Sequence, residues 1–83
     1  MGYVLHYNPS MGKKQYNYRA MLARNLRHLR GGQNQESFAR KLSISQSTLA
    51  RIECEQQNIT IDMLELMCKR LKCSPNDLFK DSN

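Results

Sequence analysis

The sequence predicts an all-α fold, five short helices around one small core, behind an extended N-terminal tail. Three observations carry that expectation. Beyond residue 17, apolar side chains recur at intervals of three and four positions. Four of these stretches follow an Asn, Ser or Thr suited to capping a helix. No stretch after the tail has the alternation of a central strand.

The first seventeen residues stand apart. Tyr3-Val4-Leu5-His6-Tyr7 has strand-like composition, Asn8-Pro9-Ser10 is turn chemistry, and Gly12-Lys13-Lys14 is basic with little to fix its backbone. Residues 1–17 are therefore expected to form a flexible basic tail, or to lend a short strand to a second chain.

Over residues 18–30, Leu22, Leu26 and Leu29 share one helical stripe with Tyr18 a turn earlier, while Arg19, Arg24, Arg27 and Arg30 take the other faces. Gly31-Gly32 ends this helix. Asn34 is placed to cap a second one, with Gln35 and Glu36 in its first turn and Phe38, Ala39 and Leu42 inward. Glu36 and Arg40 lie one turn apart on the outer face, a pairing worth about 0.2–0.5 kcal/mol.

Ser43-Ile44-Ser45 is the whole break before the next helix. Three residues cannot reverse the chain as a flexible loop, so the next helix must leave steeply, as in paired helices crossing at about 90–120°. Ser45 caps a helix beginning at Gln46, with Leu49 and Ile52 inward and Gln46, Ser47, Ala50, Arg51 and Cys54 fanning outward. Thr60 caps a fourth stretch whose Ile61, Leu64, Met67, Cys68 and Leu71 line one face; Lys69, Arg70 and Lys72 sit at its end, where the helix dipole favours cations. Ser74-Pro75 opens a last helical turn that returns Leu78 and Phe79 to the core. The helical domain is placed at residues 18–80, with 81–83 as a short C-terminal tail.

Length and charge narrow the function. Eighty-three residues make one domain, since folding at this size buries only about 60% of the surface the unfolded chain exposes. A deep substrate cleft is not expected. Mean hydropathy is −0.70, and no apolar run approaches the roughly 20 residues needed to span a bilayer. The net charge of +6, at a pI near 9.6, is one-sided. Lys13, Lys14, Arg19, Arg24, Arg27 and Arg30 fall in the first thirty residues with no acid among them, and the remainder of the chain balances. Such a field favours an anionic partner, although charge runs also serve solubility alone.

Cys54, Cys68 and Cys73 form no Cys-x-x-Cys, and with His6 and His28 they match no common zinc framework. They are expected to be reduced thiols of a cytoplasmic protein, filling space as small half-buried apolar groups, with no metal or cofactor. No Ser/His/Asp order, enclosed acid pair or Gly-rich phosphate loop is present, so an enzyme is not expected.

Residues 35–53 read Gln-Glu-Ser-Phe-Ala-Arg-Lys-Leu-Ser-Ile-Ser-Gln-Ser-Thr-Leu-Ala-Arg-Ile-Glu, followed by Asn58-Ile59-Thr60-Ile61-Asp62-Met63-Leu64 and Leu71-Lys72-Cys73-Ser74. In residue order, turn length and the two helices downstream, this resembles the lambda-repressor-like helix-turn-helix family of Cro, repressor and Xre-type regulators. The resemblance implies a sequence-specific transcriptional regulator, of repressor type, binding double-stranded DNA as a homodimer on a palindromic site.

Carried over by position, Gln46 opens the recognition helix and suits adenine N6 and N7, Ser47 is the next outward position, and Arg51 suits guanine O6 and N7 or a phosphate. Gln35, Asn58, Gln57 and Thr48 are the candidate backbone contacts. Glu53 is implied to be structural, paired with Arg30 or Arg27. The sequence departs from the family pattern in three places: Glu55 stands where a Gly is common, the link from Arg30 to Gln35 is short, and Ile59 replaces a frequent Pro. The rival expectation is a protein-interaction module of the same fold, such as an antitoxin bound to a toxin.

Overall fold

A computed structural model describes residues 17–81. The expectations for the tail, residues 1–16, and for residues 82 and 83 lie outside the described residues. The described chain forms α1 (Tyr18–Arg30), α2 (Gln35–Leu42), α3 (Gln46–Glu53), α4 (Ile61–Leu71) and α5 (Pro75–Phe79). The expected starts and stops are all reproduced, because local chemistry fixes them.

Side chains satisfy the orphan N–H groups at the first four helix starts. Asn17 Oδ1 accepts from the Ala20 N–H at 3.1 Å, Asn34 Oδ1 from Ser37 at 2.8 Å, Ser45 Oγ from Thr48 at 3.1 Å and Thr60 Oγ1 from Met63 at 3.0 Å. Each such cap is worth about 1 kcal/mol. Asn17, assigned from sequence to the tail, is thus the N-cap of α1. At α5, Asp77 Oδ2 accepts from the Ser74 N–H at 3.0 Å and hydroxyl at 3.2 Å. These bonds favour the ionised form and hold the exposed Asp77 carboxyl below its usual range.

Three helices end in the same way. A residue just past the helix, the first after α2 and α4 and the second after α3, turns left-handed and the next N–H bonds five residues back: Ile44 to the Ala39 carbonyl at 3.0 Å, Gln56 to Arg51 at 2.8 Å and Cys73 to Cys68 at 3.0 Å. The left-handed residues are Ser43, Glu55 and Lys72, with φ of 63°, 63° and 55°. None is glycine. Glu55 therefore keeps the conformation for which a Gly is preferred, and carries its strain.

The core gathers Leu22 and Leu26 from α1, Phe38, Ala39 and Leu42 from α2, Leu49 and Ile52 from α3, Met67 from α4 and Leu78 from α5. Helix α3 packs on α1 and α2, α4 on α2, and α5 on α1 and α4. Covered by both α3 and α5, α1 buries a broader arc than its leucine stripe. Met21, Ala23 and Asn25 are buried, while Leu29 and Tyr18 lie toward solvent at 39% and 60% exposure. Asn25 is satisfied inside, its Nδ2 donating to the Leu78 carbonyl at 2.8 Å and the Lys80 carbonyl at 3.1 Å.

Two further side chains differ from their sequence assignment. Ile61, expected on the inner face of α4, is 77% exposed; it stands in the first turn, beyond the reach of the helices packed on the rest. Cys54 is exposed rather than half-buried, as its outward place after α3 requires, whereas Cys68 and Cys73 are half-buried against the core.

Candidate nucleic-acid interface

Everything that fixes α3 acts on its inner side or its ends. Leu49 and Ile52 are buried in the core, Ser45 holds the first turn, and Arg27 Nη1 donates to the Glu53 carbonyl at 2.7 Å at the last. The outer face is left to solvent. Gln46, Ser47 and Arg51 are exposed along it, with Ala50 half-buried between them. Small and polar, this surface can enter a groove about 12 Å wide and hydrogen-bond to base edges.

The Ser47 hydroxyl lies 3.2 Å from that of Ser45 but stays exposed; Thr48 is more enclosed. It is half-buried, and its Oγ1 accepts from the Ser45 hydroxyl at 2.8 Å, which ties it to the helix start.

At the other end of the face, Arg51 Nε donates to Gln57 Oε1 at 2.8 Å, and Gln57 Nε2 donates in turn to the Asn58 carbonyl at 3.1 Å. Asn58 Oδ1 accepts from Arg19 Nη2, at the start of α1. The loop after α3 thus joins two guanidinium groups through Gln57 and Asn58. Sequence reading did not single out Arg19 for this site. It lies 39 residues from Asn58, and only the packing of α1 beside the loop brings it there.

The acid on α3 is sequestered. Glu53 is 7% exposed. Its carboxylate accepts from Arg30 Nε at 2.9 Å and Nη2 at 3.0 Å, and from Gln35 Nε2 at 2.9 Å. Of the two arginines expected as its partner, Arg30 takes the carboxylate and Arg27 takes the main-chain carbonyl. Gln35, a candidate phosphate contact, is half-buried and engaged with Glu53. Its amide nitrogen carries two N–H groups, so one remains beyond this bond. Arg51 makes no ion pair among the described residues, unlike Arg30 with Glu53 and Arg40 with Glu36. The outer face of α3 therefore presents one positive charge that no ion pair neutralises among the described residues.

Among the described residues no three His, Cys, Asp or Glu side chains gather as a metal site requires, and no helix is long and apolar enough to cross a membrane.

Comparison with known proteins agrees with this fold. The helix-turn-helix family model matches residues 24–78, from α1 into α5. Among solved structures, that of a hypothetical transcription factor, NHTF, from Neisseria is similar at a TM-score of 0.71 and 28% identity, over 80% of this chain and 78% of that one. No curated protein matches.

Proposed function

The chain belongs to the helix-turn-helix family, and from that membership we propose that it is a sequence-specific DNA-binding regulator of transcription, of repressor type. Helix α3 enters the major groove. The observation that carries this reading is the outer face of α3, polar and exposed, with Arg51 in no ion pair among the described residues and Glu53 withdrawn onto Arg30. The Neisseria relative is described as a hypothetical transcription factor, which supports the same reading.

In this proposal Gln46 and Ser47 read base edges, Gln46 matching the N6 and N7 pair of adenine. Arg51 reads guanine O6 and N7. Gln57 engages its Nε, which steadies the side chain while both terminal nitrogens stay available as a fork. Gln35, Thr48, Gln57 and Asn58 contact the phosphate backbone, and Arg19 joins them because Asn58 holds it at the same loop. One domain of this size makes few contacts, so a homodimer on a palindrome supplies the affinity.

Electrophoretic shift titrations over a salt series test the reading. Affinity is expected to fall linearly on a double-logarithmic plot, by about 0.9 per phosphate neutralised. Binding indifferent to salt would overturn it. A stable complex with another protein from the same cells, with no DNA bound at physiological salt, would favour the interaction-module reading instead.

A further inference from the structure

The turn between α4 and α5 brings two thiols together. The Cys73 N–H donates to the Cys68 carbonyl at 3.0 Å across a left-handed Lys72. This is the six-to-one bond of a helix-ending motif whose outer residues regularly pack side chain against side chain. Here both outer residues are cysteines. Standard bond lengths joined through that hydrogen bond keep the two Cα atoms at most about 7 Å apart, so they do not exceed the separation beyond which a disulfide would need the backbone to move. Both side chains pack against the core rather than splaying into solvent. Burial, with the Cys68 thiol nearby as the smaller cause, pushes the Cys73 thiol above its usual pKa.

We propose that Cys68 and Cys73 are a redox pair, oxidised by a low-molecular-weight disulfide to an intramolecular bridge that ties the end of α4 to the start of α5. One cysteine, as thiolate, attacks a sulfur of the external disulfide, forming a mixed disulfide and expelling one equivalent of external thiol. The second cysteine then attacks the bonded protein sulfur, and a second external thiol leaves. The two cysteines lose two protons and two electrons, and the external disulfide gains both. The bridge closes just before Ser74, the cap of the helix that seats Leu78 in the core.

Cys54 is exposed and reacts separately, so the test uses the full chain carrying Cys54→Ser. It is incubated with oxidised glutathione, and intact mass and tryptic peptides are followed. Lys69, Arg70 and Lys72 lie between the two cysteines, so trypsin parts them unless a disulfide joins the fragments. The expected result is a product lighter by two hydrogens, with linked fragments, formed at a rate independent of protein concentration. Adding Cys73→Ser or Cys68→Ser is expected to stop the reaction at a stable glutathione adduct on the remaining thiol. Two thiols that stay free, two lasting glutathione adducts on one chain, or links formed only between chains would each overturn the proposal. Unchanged far-UV circular dichroism of the variants keeps a failed bridge separate from a failed fold.

Discussion

Arg30 grips Glu53 with two hydrogen bonds, Nε to Oε2 at 2.9 Å and Nη2 to Oε1 at 3.0 Å, joining the end of α1 to the end of α3. The Glu53 side chain is 5% exposed and that of Arg30 is 23% exposed, so the pair is largely withdrawn from solvent. Removing one partner leaves a buried charge with too few partners, which costs about 3–5 kcal/mol when burial is complete. Gln35 remains as a donor to Glu53 and softens the loss. Arg30→Ala is therefore expected to lower stability by about 2–3 kcal/mol in urea unfolding, most of what a core this small supplies. A change below about 0.5 kcal/mol, the range of an ordinary surface substitution, would contradict the structural role assigned to the pair.

Left-handed backbone at Glu55, with φ at 63°, costs a side chain about 1 kcal/mol relative to glycine. Glu55→Gly is expected to raise stability by about 0.5–1 kcal/mol, after allowing for the greater freedom of glycine in the unfolded chain. It is also expected to tighten DNA binding by removing an anion from the loop after α3. Gly31 supplies the opposite case, since its φ of 57° is strained for any other residue although the space around it is open. Gly31→Ala is expected to destabilise by about 1 kcal/mol. Thermal unfolding of both variants checks the pair of signs.

Acid affects the start of α5 through Asp77, whose carboxyl the Ser74 N–H and hydroxyl hold below its usual range. A carboxylate with a lowered folded-state pKa contributes stability that is fully present above its unfolded value and is lost as pH falls through the folded value. Asp77→Asn is expected to remove that part of the acid-side slope and to leave stability unaltered in its pH dependence above the carboxylate range. Urea midpoints measured from neutral pH down into the carboxylate range would show it. An identical slope in both proteins would contradict the assignment.

Arg19 separates charge from sequence reading. If it meets a phosphate from its seat on Asn58, Arg19→Ala weakens binding to every DNA sequence alike and reduces the salt slope by about 1. Loss confined to one sequence would assign it to base recognition instead.

Helix boundaries were legible because caps and turns are written locally. Asn34, Ser45 and Thr60 each precede an apolar stripe, and each accepts the expected N–H. Contacts that depend on how helices are rotated and packed were not legible. Arg27 and Arg30 are nearly one turn apart, so the choice between them for Glu53 rests on the orientation of α1 against α3. Gln35 meeting Glu53 depends on the same packing. Ile61 fits an amphipathic pattern by count, yet the stripe it continues runs past the edge of the core. At Glu55 the missing glycine was visible, but not that the 2.8 Å bond from Gln56 to the Arg51 carbonyl would hold the left-handed turn without it.

Selection of bound sites from a random DNA pool, repeated with Gln46→Ala and Arg51→Ala combined, tests the central claim most directly. Both residues are exposed, so stability is expected to stay within about 0.5 kcal/mol. The account predicts that the unsubstituted chain enriches an inverted repeat whose half-sites lie about 10 base pairs, or a multiple of that, apart. The double variant is predicted to keep its salt-dependent binding and lose about 1–3 kcal/mol of discrimination at each base its side chains read. A pool without an enriched sequence, or one enriched identically by both proteins, would contradict it.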